Sequence, residues 1–138
     1  YTSLRLGIAT AKGLALPHNI NIVGVDSFTM IKHLYSTNNE QAILLENTER
    51  QVYLQTNGEQ LIIEPTELAE YLKTNQEILG SGFELYNEFL REYSLIENTN
   101  QIKAQDLINY VIENNIIESK LEPLYIKPLT YKKYVYKL

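Results

Sequence analysis

The residue types that most often carry chemistry are scarce in this 138-residue sequence. Cysteine is absent, which excludes a thiol nucleophile, a thiolate metal site and a disulfide framework. His18 and His33 are the only histidines, and their separation fits neither HxxxH nor HExxH. We therefore predict no metal site and no catalytic residue in this chain, with His18 in a loop and His33 on the surface of a helix. No Ser–His–Asp constellation can be assembled from the sequence either.

A pair of glycines, in Gly80-Ser81-Gly82, falls between a predicted strand and a predicted helix. A turn at such a place can face phosphate, because backbone amides at the start of a helix attract anions. The alternative is a tight turn that needs glycine for a positive φ. A single GxG fits both interpretations, and no GxxxxGK[ST] motif is present. We keep Gly80, Ser81 and Gly82 as a candidate phosphate-facing turn.

Charge is distributed unevenly along the chain, whose net charge is −5. An acidic chain binds nucleic acid poorly alone, because contacts with phosphate supply most of that affinity. The C-terminal residues 126–138 nevertheless hold four lysines and no acidic residue, interleaved with tyrosine. Lysine with tyrosine is typical of single-strand RNA contacts, and the alternative is an ordinary chain terminus. We name Lys132, Lys133 and Lys137 as candidate RNA contacts within a larger complex.

Small and apolar residues define the first predicted helix. Leu4, Gly7, Ile8, Ala11 and Ala15 recur at helical spacing on one face. One interpretation is a core helix that packs against its own sheet. The other is a docking surface, since the ladder Gly7, Ala11 and Ala15 lets a second helix approach closely. Glycine inside a helix costs about 1 kcal/mol relative to alanine, so something should offset that cost at Gly7.

Periodicity and turn residues predict the remaining elements. A strand is expected at 19–25, a helix follows the cap Asp26 or Ser27, and three strands lie at 42–46, 51–55 and 60–64, the last two joined by Asn57-Gly58. A helix from Pro65, a strand at 77–80, a helix at 83–92, a strand at 93–97, a helix at 103–114 and a strand at 124–128 complete the chain. The residues expected to point inward from these helices are Phe28, Ile31, Leu34, Tyr35, Leu68, Tyr71, Leu72, Leu107, Ile108, Val111 and Ile112.

The order of these elements predicts a mixed α/β fold. From Ala42 onward it is three strands, then helix and strand in alternation, and ends on a helix. That is the order of the ribonuclease-H-like domain, which actin-like proteins use twice in tandem. We expect residues 1–36 to be the back part (helix, strand, helix) of an incomplete first lobe. Residues 37–128 would then be a second lobe, and residues 129–138 a basic, aromatic tail.

The stretch TSLRLGIATAKGLALPHNINIVGVDSF resembles the TsaB (YeaZ) family of tRNA threonylcarbamoyladenosine biosynthesis proteins. That family has Ser-Phe-Thr-Gly-Leu-Arg-Ile-Gly, a helix of small residues, Ala-Lys-Gly-Leu-Ala, and a strand ending Val-Gly-Val-Ser-Ser. The residues that match are Thr2, Leu4, Arg5, Gly7, Ala9, Ala11, Lys12, Gly13, Leu14, Ala15, Val23, Gly24, Val25 and Ser27. Farther on, EILGSG resembles the family's strand ending in Gly-x-Gly, and EPLYIKP its closing Glu-Pro-x-Tyr-x-Arg.

Two departures from that pattern stand out. The family's Asp-Thr-Ser strand and first hairpin have no counterpart in these residues. The family's Asp-Ala-Arg-x-Gly-Glu-Val-Tyr reads ENTERQVY here, and only Val52 and Tyr53 match. The roles of that arginine and that glycine are therefore not carried over.

The resemblance implies a non-catalytic scaffold subunit of the complex that installs threonylcarbamoyl on adenosine 37 of tRNA. Its expected partners are a TsaD-like catalytic paralogue, met through the small-residue helices, a TsaE-like ATPase, and a second copy of itself. ATP and a metal would be bound by the partner subunits and not by this chain, and tRNA would bind only within the complex. The alternative is an actin-like nucleotide-binding enzyme or small-molecule kinase.

Composition adds an expectation about location. The chain is 44% hydrophobic and 21% charged, and no window resembles a membrane span or a secretory leader. Together with the lack of cysteine, this predicts a cytoplasmic protein without membrane contact.

Overall fold

The computed structural model describes residues 2–36, 38, 40–47, 50–97, 102–117 and 121–126. Its α-helices are α1 (Thr2–Ala15), α2 (Ser27–Tyr35), α3 (Leu68–Tyr71) and α4 (Ala104–Glu113). Its strands are β1 (Ala42–Glu46), β2 (Val52–Thr56), β3 (Glu59–Ile63), β4 (Glu77–Gly80) and β5 (Ser94–Glu97). Single 3₁₀ turns lie at Leu16–His18, Pro65–Glu67 and Phe83–Tyr86.

The five strands form one mixed sheet in the order β3-β2-β1-β4-β5. β1, β2 and β3 are antiparallel neighbours, whereas β4 pairs parallel to β1 and β5 parallel to β4. The β2–β3 hairpin turns at Asn57-Gly58, which have φ values of 50° and 83°, as the two-residue signal requires. This strand order is that of the ribonuclease-H-like fold, and the predicted mixed α/β class is confirmed.

Both faces of the sheet are covered. One face carries the larger core, in which Leu44, Leu54 and Ile78 pack with Leu68, Phe83, Tyr86 and Leu90. On the other face, Phe28 and Ile31 of α2 pack against Ile43 and Leu79. Asp26 caps α2, because its carboxylate accepts hydrogen bonds from the backbone N–H and the hydroxyl of Thr29. α2 thus shares a core with the sheet, while the division at residue 36 stays a prediction.

Residues 19–25 do not form the predicted strand. They enter no sheet within the part of the chain that the structure describes. Asn19 takes a left-handed conformation at the end of the preceding 3₁₀ turn, and Ile20 donates its N–H to the Ala15 carbonyl. The backbone at the start of this stretch therefore makes its hydrogen bonds to the end of the preceding helix and not to another strand. An alternating pattern forms a strand only when a neighbouring strand is present to pair with it.

The predicted helix at 83–92 is also wrong. A 3₁₀ turn occupies Phe83–Tyr86, and its continuation uses i to i+3 hydrogen bonds, from Phe89 N–H to Tyr86 and from Leu90 N–H to Asn87. Phe83 and Tyr86 are three residues apart and both buried, which a 3₁₀ turn satisfies as well as an α-helix does.

Three further expectations need correction. The predicted strand at 124–128 is absent from its described residues, 124–126; residues 127 and 128 lie outside the description. Tyr71 is exposed on the short α3. Ile108 and Ile112 are exposed on α4, because α4 packs on α2 through the side that carries Tyr110.

Gly80 is the position where the fold leaves no room for a side chain. Its backbone lies so close to the Leu44 carbonyl oxygen that a Cβ would overlap with it. We expect Gly80→Ala to lower the free energy of unfolding by at least about 2 kcal/mol. Urea denaturation followed by circular dichroism measures this change.

Gly7→Ala is the matched control, because a Cβ on Gly7 meets nothing within 4 Å. It should raise stability by about 0.5–1 kcal/mol through helix propensity. Equal midpoints for Gly80→Ala and the unmodified chain would contradict the packing described for β1 and β4.

Candidate functional site

The carboxyl ends of β1 and β4 meet at one edge of the sheet, because the two strands are parallel. Ser81 donates its backbone N–H to the Leu44 carbonyl at 3.1 Å. Gly82 follows with a φ of 74°, and a Cβ there would lie 2.6 Å from the Cβ of Glu46. Glycine is needed at both ends of this turn for close approach and for a left-handed backbone. We call residues 46, 47 and 80–82 the carboxyl-edge turn.

A buried hydroxyl fixes the loop that leaves this edge. The Tyr86 hydroxyl donates to the Gln51 carbonyl at 2.7 Å and accepts from the Asn47 N–H at 3.4 Å. It therefore links Asn47 at the start of the β1–β2 loop to Gln51 at its end. Arg50, which stands where the resembling family has glycine, has a φ of 62°. The left-handed backbone explains why glycine suits that position.

The carboxyl-edge turn offers little attraction to phosphate by the geometry described. The 3₁₀ turn after Gly82 is only four residues long, so it has no helix dipole of useful size. The Glu46 carboxylate lies next to Gly82, and its negative charge would repel an anion. The geometry favours the tight-turn interpretation, and phosphate binding by Gly80, Ser81 and Gly82 stays a prediction.

The two histidines occupy separate elements. His18 is exposed at the end of the first 3₁₀ turn. His33 on α2 meets α4, with its Nε2 atom 3.7 Å from a Glu113 carboxylate oxygen and its ring edge-on to Tyr110 at 4.8 Å. Among the residues that the structure describes, no three His, Asp or Glu side chains gather where a metal could bind. The described residues do not fit a metal ion.

α1 is largely exposed, in contrast to the helices over the sheet. Of the five residues predicted for its interface, Ala15 is buried and Ile8 and Ala11 are half-buried, whereas Leu4 and Gly7 are exposed. Leu6 and Leu14 are 66% and 70% exposed. The core-helix interpretation therefore describes the end of α1 at Ala15, and the side with Gly7 and Leu14 faces outward.

The sequence did not predict a contact between α1 and residues 121–126. Arg5 donates from Nε to the Tyr125 hydroxyl at 2.8 Å, across 120 residues of sequence. A groove of about 590 Å³ lies between α1, the loop before α2 and residues 121–126. Leu4, Ile8, Leu121 and Leu124 line it together with Leu45 and Tyr53 of the sheet. The closing Glu-Pro-x-Tyr pattern marks this segment, but not its contact with the first helix.

Among the described residues, Tyr93 has a shifted pKa, and it lies at the amino end of β5, away from the carboxyl-edge turn. Burial first, and then the neighbouring Glu92 carboxylate, raise the pKa of Tyr93. Tyr93 precedes β5 and packs against the larger core. Its hydroxyl stays neutral near neutral pH and has no part in the carboxyl-edge turn.

Lys132, Lys133 and Lys137 lie outside the described residues, so their RNA contacts stay a prediction. In the described part of the chain, no helix has the length and apolar character needed to cross a bilayer.

The model of a family described as "TsaD: tRNA N6-adenosine threonylcarbamoyltransferase" matches residues 1–120. A search of curated proteins finds no match.

The Tyr86 hydroxyl gives a direct test of the loop geometry. Tyr86 is 1% exposed, so Tyr86→Phe would leave the Gln51 carbonyl without this buried donor. We expect a loss of about 1–2 kcal/mol in the free energy of unfolding. Tyr71→Phe, at an exposed tyrosine, should change stability by less than about 0.5 kcal/mol. Urea denaturation compares the two variants, and equal losses would contradict the bridging role.

Proposed function

The chain belongs to the TsaD family, named for tRNA N6-adenosine threonylcarbamoyltransferase, and from that premise we propose that it is a non-catalytic scaffold subunit. Family membership connects the chain with threonylcarbamoyl modification of tRNA. The finer proposal is that it acts as a TsaB-type partner and docks on a catalytic TsaD-like paralogue through α1.

The observation that carries this proposal is the exposed apolar side of α1. Leu4, Gly7 and Leu14 lie within about 80° of one another around the helix axis, at 100° per residue. All three are exposed. Nearby, Leu16 and Ile20 are also exposed. A run of exposed large apolar side chains in one region is typical of an interaction surface.

Gly7 supports helix docking in particular. A glycine at this position costs the helix stability, and its own fold does not require it, because a Cβ there would meet nothing within 4 Å. A partner helix that approaches the backbone at Gly7 would offset this cost. The resemblance of residues 2–27 to the TsaB pattern supports the same interpretation.

The proposal includes the composition of the complex. A TsaD-like paralogue would carry the transfer chemistry and the metal, and a TsaE-like ATPase would bind ATP. The tRNA would meet a surface shared by the subunits, to which the lysines at 132, 133 and 137 would contribute. In the absence of the paralogue, the same side of α1 would pair with a second copy of this chain.

A nucleotide-binding enzyme is the second candidate, and the carboxyl-edge turn is the observation that favours it. Parallel strands end there at a glycine pair, which is where open α/β sheets bind ligands. Calorimetry with Mg-ATP separates the candidates. The scaffold proposal predicts no saturable heat for the chain alone, and stoichiometric binding would favour the second candidate.

The docking proposal predicts that Gly7→Leu weakens binding to the TsaD-like paralogue by at least about tenfold, equivalent to about 1.4 kcal/mol. The added side chain would hold the partner helix away from the α1 backbone. Biolayer interferometry with the purified paralogue measures the change in Kd. Gly7→Leu is preferable to Ala11→Leu, because Ala11 is half-buried and a larger side chain there would also disturb the fold.

Ala9→Leu is the matched control, since Ala9 is exposed and lies about 160° from Gly7 around the helix, at 100° per residue. It should bind the paralogue as the unmodified chain does. Unchanged affinity of Gly7→Leu, in a protein with unaltered circular dichroism, would remove the docking role of this side of α1.

A further inference from the structure

The first half of α1 has little support from the sheet. Residues 2–7 are all exposed, and Ile8 is half-buried. Residues 121–126, LEPLYI, which we call the strap, contact this part of the helix at Arg5. The strap lines a groove with Leu4 and Ile8, to which residues 24–28, Leu45 and Tyr53 also contribute. The strap adopts neither helix nor strand, and its side chains contact α1, the loop before α2 and the core.

The strap contacts the rest of the described structure along its length. At one end, Leu121 lies against Gly24, where an added Cβ would come within 2.7 Å of the Leu121 Cδ1 atom. At the other end, Ile126 packs on the core formed by α2 and the sheet. Between them, Tyr125 accepts a hydrogen bond from Arg5, and its ring centroid lies 5.6 Å from the Arg5 guanidinium carbon.

Gly24 is needed for closeness and not for backbone conformation. It is not among the glycines with positive φ, so its backbone suits other residues too. A Cβ at this position would press on the end of the Leu121 side chain and would lie 3.9 Å from the Leu121 Cα atom. The larger, branched side chain of valine would therefore crowd the start of the strap more than alanine would. Gly24 and Arg5 both belong to the stretch that resembles TsaB, and the strap belongs to the closing Glu-Pro-x-Tyr pattern.

We propose that the strap is an intramolecular positioning element that fixes the direction of α1 relative to the sheet. Ile126 attaches the strap to the core, and the Arg5–Tyr125 contact attaches the strap to the exposed first half of α1. Leu4 and Ile8 of α1 line the same groove as Leu121 and Leu124 of the strap. The direction of α1 is therefore set by a segment more than 100 residues away in sequence.

This inference has a consequence that rests on the proposed function. A docking helix that is already held in its binding direction loses less conformational freedom when the paralogue binds. Loosening the strap should then weaken the complex, although Arg5, which bonds to the strap, lies about 160° from Gly7 around the helix, at 100° per residue. Leu4 borders both the groove and the side that carries Gly7.

Hydrogen exchange of the isolated full chain, followed by mass spectrometry, tests the strap directly. In Tyr125→Ala and in Gly24→Val, the amides of α1 should exchange at least about tenfold faster, because local opening becomes easier. Tyr125→Phe keeps the ring and removes the hydroxyl, and it should give a smaller acceleration. The β1 amides should stay within about twofold of the unmodified chain.

Tyr71→Ala is the matched control for Tyr125→Ala, since the two tyrosines are 38% and 37% exposed. It should leave α1 exchange unchanged. Unchanged α1 exchange in both Tyr125→Ala and Gly24→Val would overturn the proposal. Equal acceleration in α1 and β1 would also overturn it, because the strap would then be part of the general core. Faster α1 exchange with unaltered affinity for the paralogue would support the strap and remove the docking role of α1.

Discussion

The fold depends on the close parallel approach of β4 to β1. β1 is buried on both faces and pairs on one side with the antiparallel β2 and on the other with β4. At their shared end, Gly80 lies against the Leu44 carbonyl, and Ser81 donates to that same oxygen. This approach brings the 3₁₀ turn of Tyr86 under the β1–β2 loop, where its hydroxyl holds Asn47 and Gln51. The order of the strands, the position of the β1–β2 loop and the core that Ile43 and Leu79 form with α2 all depend on the pairing of β4 with β1.

The same arrangement leaves α1 at the periphery. The sheet buries α2 through Phe28 and Ile31, whereas α1 is buried only at Ala15 and half-buried at Ile8 and Ala11. An exposed apolar helix is costly to leave in water. Its direction is set by one charged hydrogen bond and by a groove shared with residues 121–126. A sheet with an apolar helix held outside it suits a subunit that binds another protein, and the chain belongs to the TsaD family.

The sequence predicted best what depends on neighbours in the chain. β1 and β4 lie at the predicted residues, and the Asn57-Gly58 hairpin has the predicted left-handed backbone. The errors occur where a distant partner decides. Residues 19–25 alternate like a strand but lack a neighbouring strand in the described structure. Tyr86 lies in a 3₁₀ turn, and its hydroxyl donates to the carbonyl of Gln51, 35 residues away in sequence. The contact between Arg5 and Tyr125 has no local signal at all. Of the small residues Gly7, Ala11 and Ala15, Gly7 is exposed, Ala11 is half-buried and Ala15 is buried. The small residues therefore did not separate the outward side of α1 from its inward side, and the positioning segment was not predicted.

The central claim is that α1 is the surface that meets the catalytic paralogue. Hydrogen exchange of this chain, alone and with a saturating amount of the TsaD-like protein, tests it most directly. The account predicts that binding slows exchange across α1, from Leu4 to Leu14, and leaves the amides of β3 at the far edge of the sheet unchanged. Stable binding that protects β3 or the carboxyl-edge turn, with α1 exchanging as in the free chain, would contradict it.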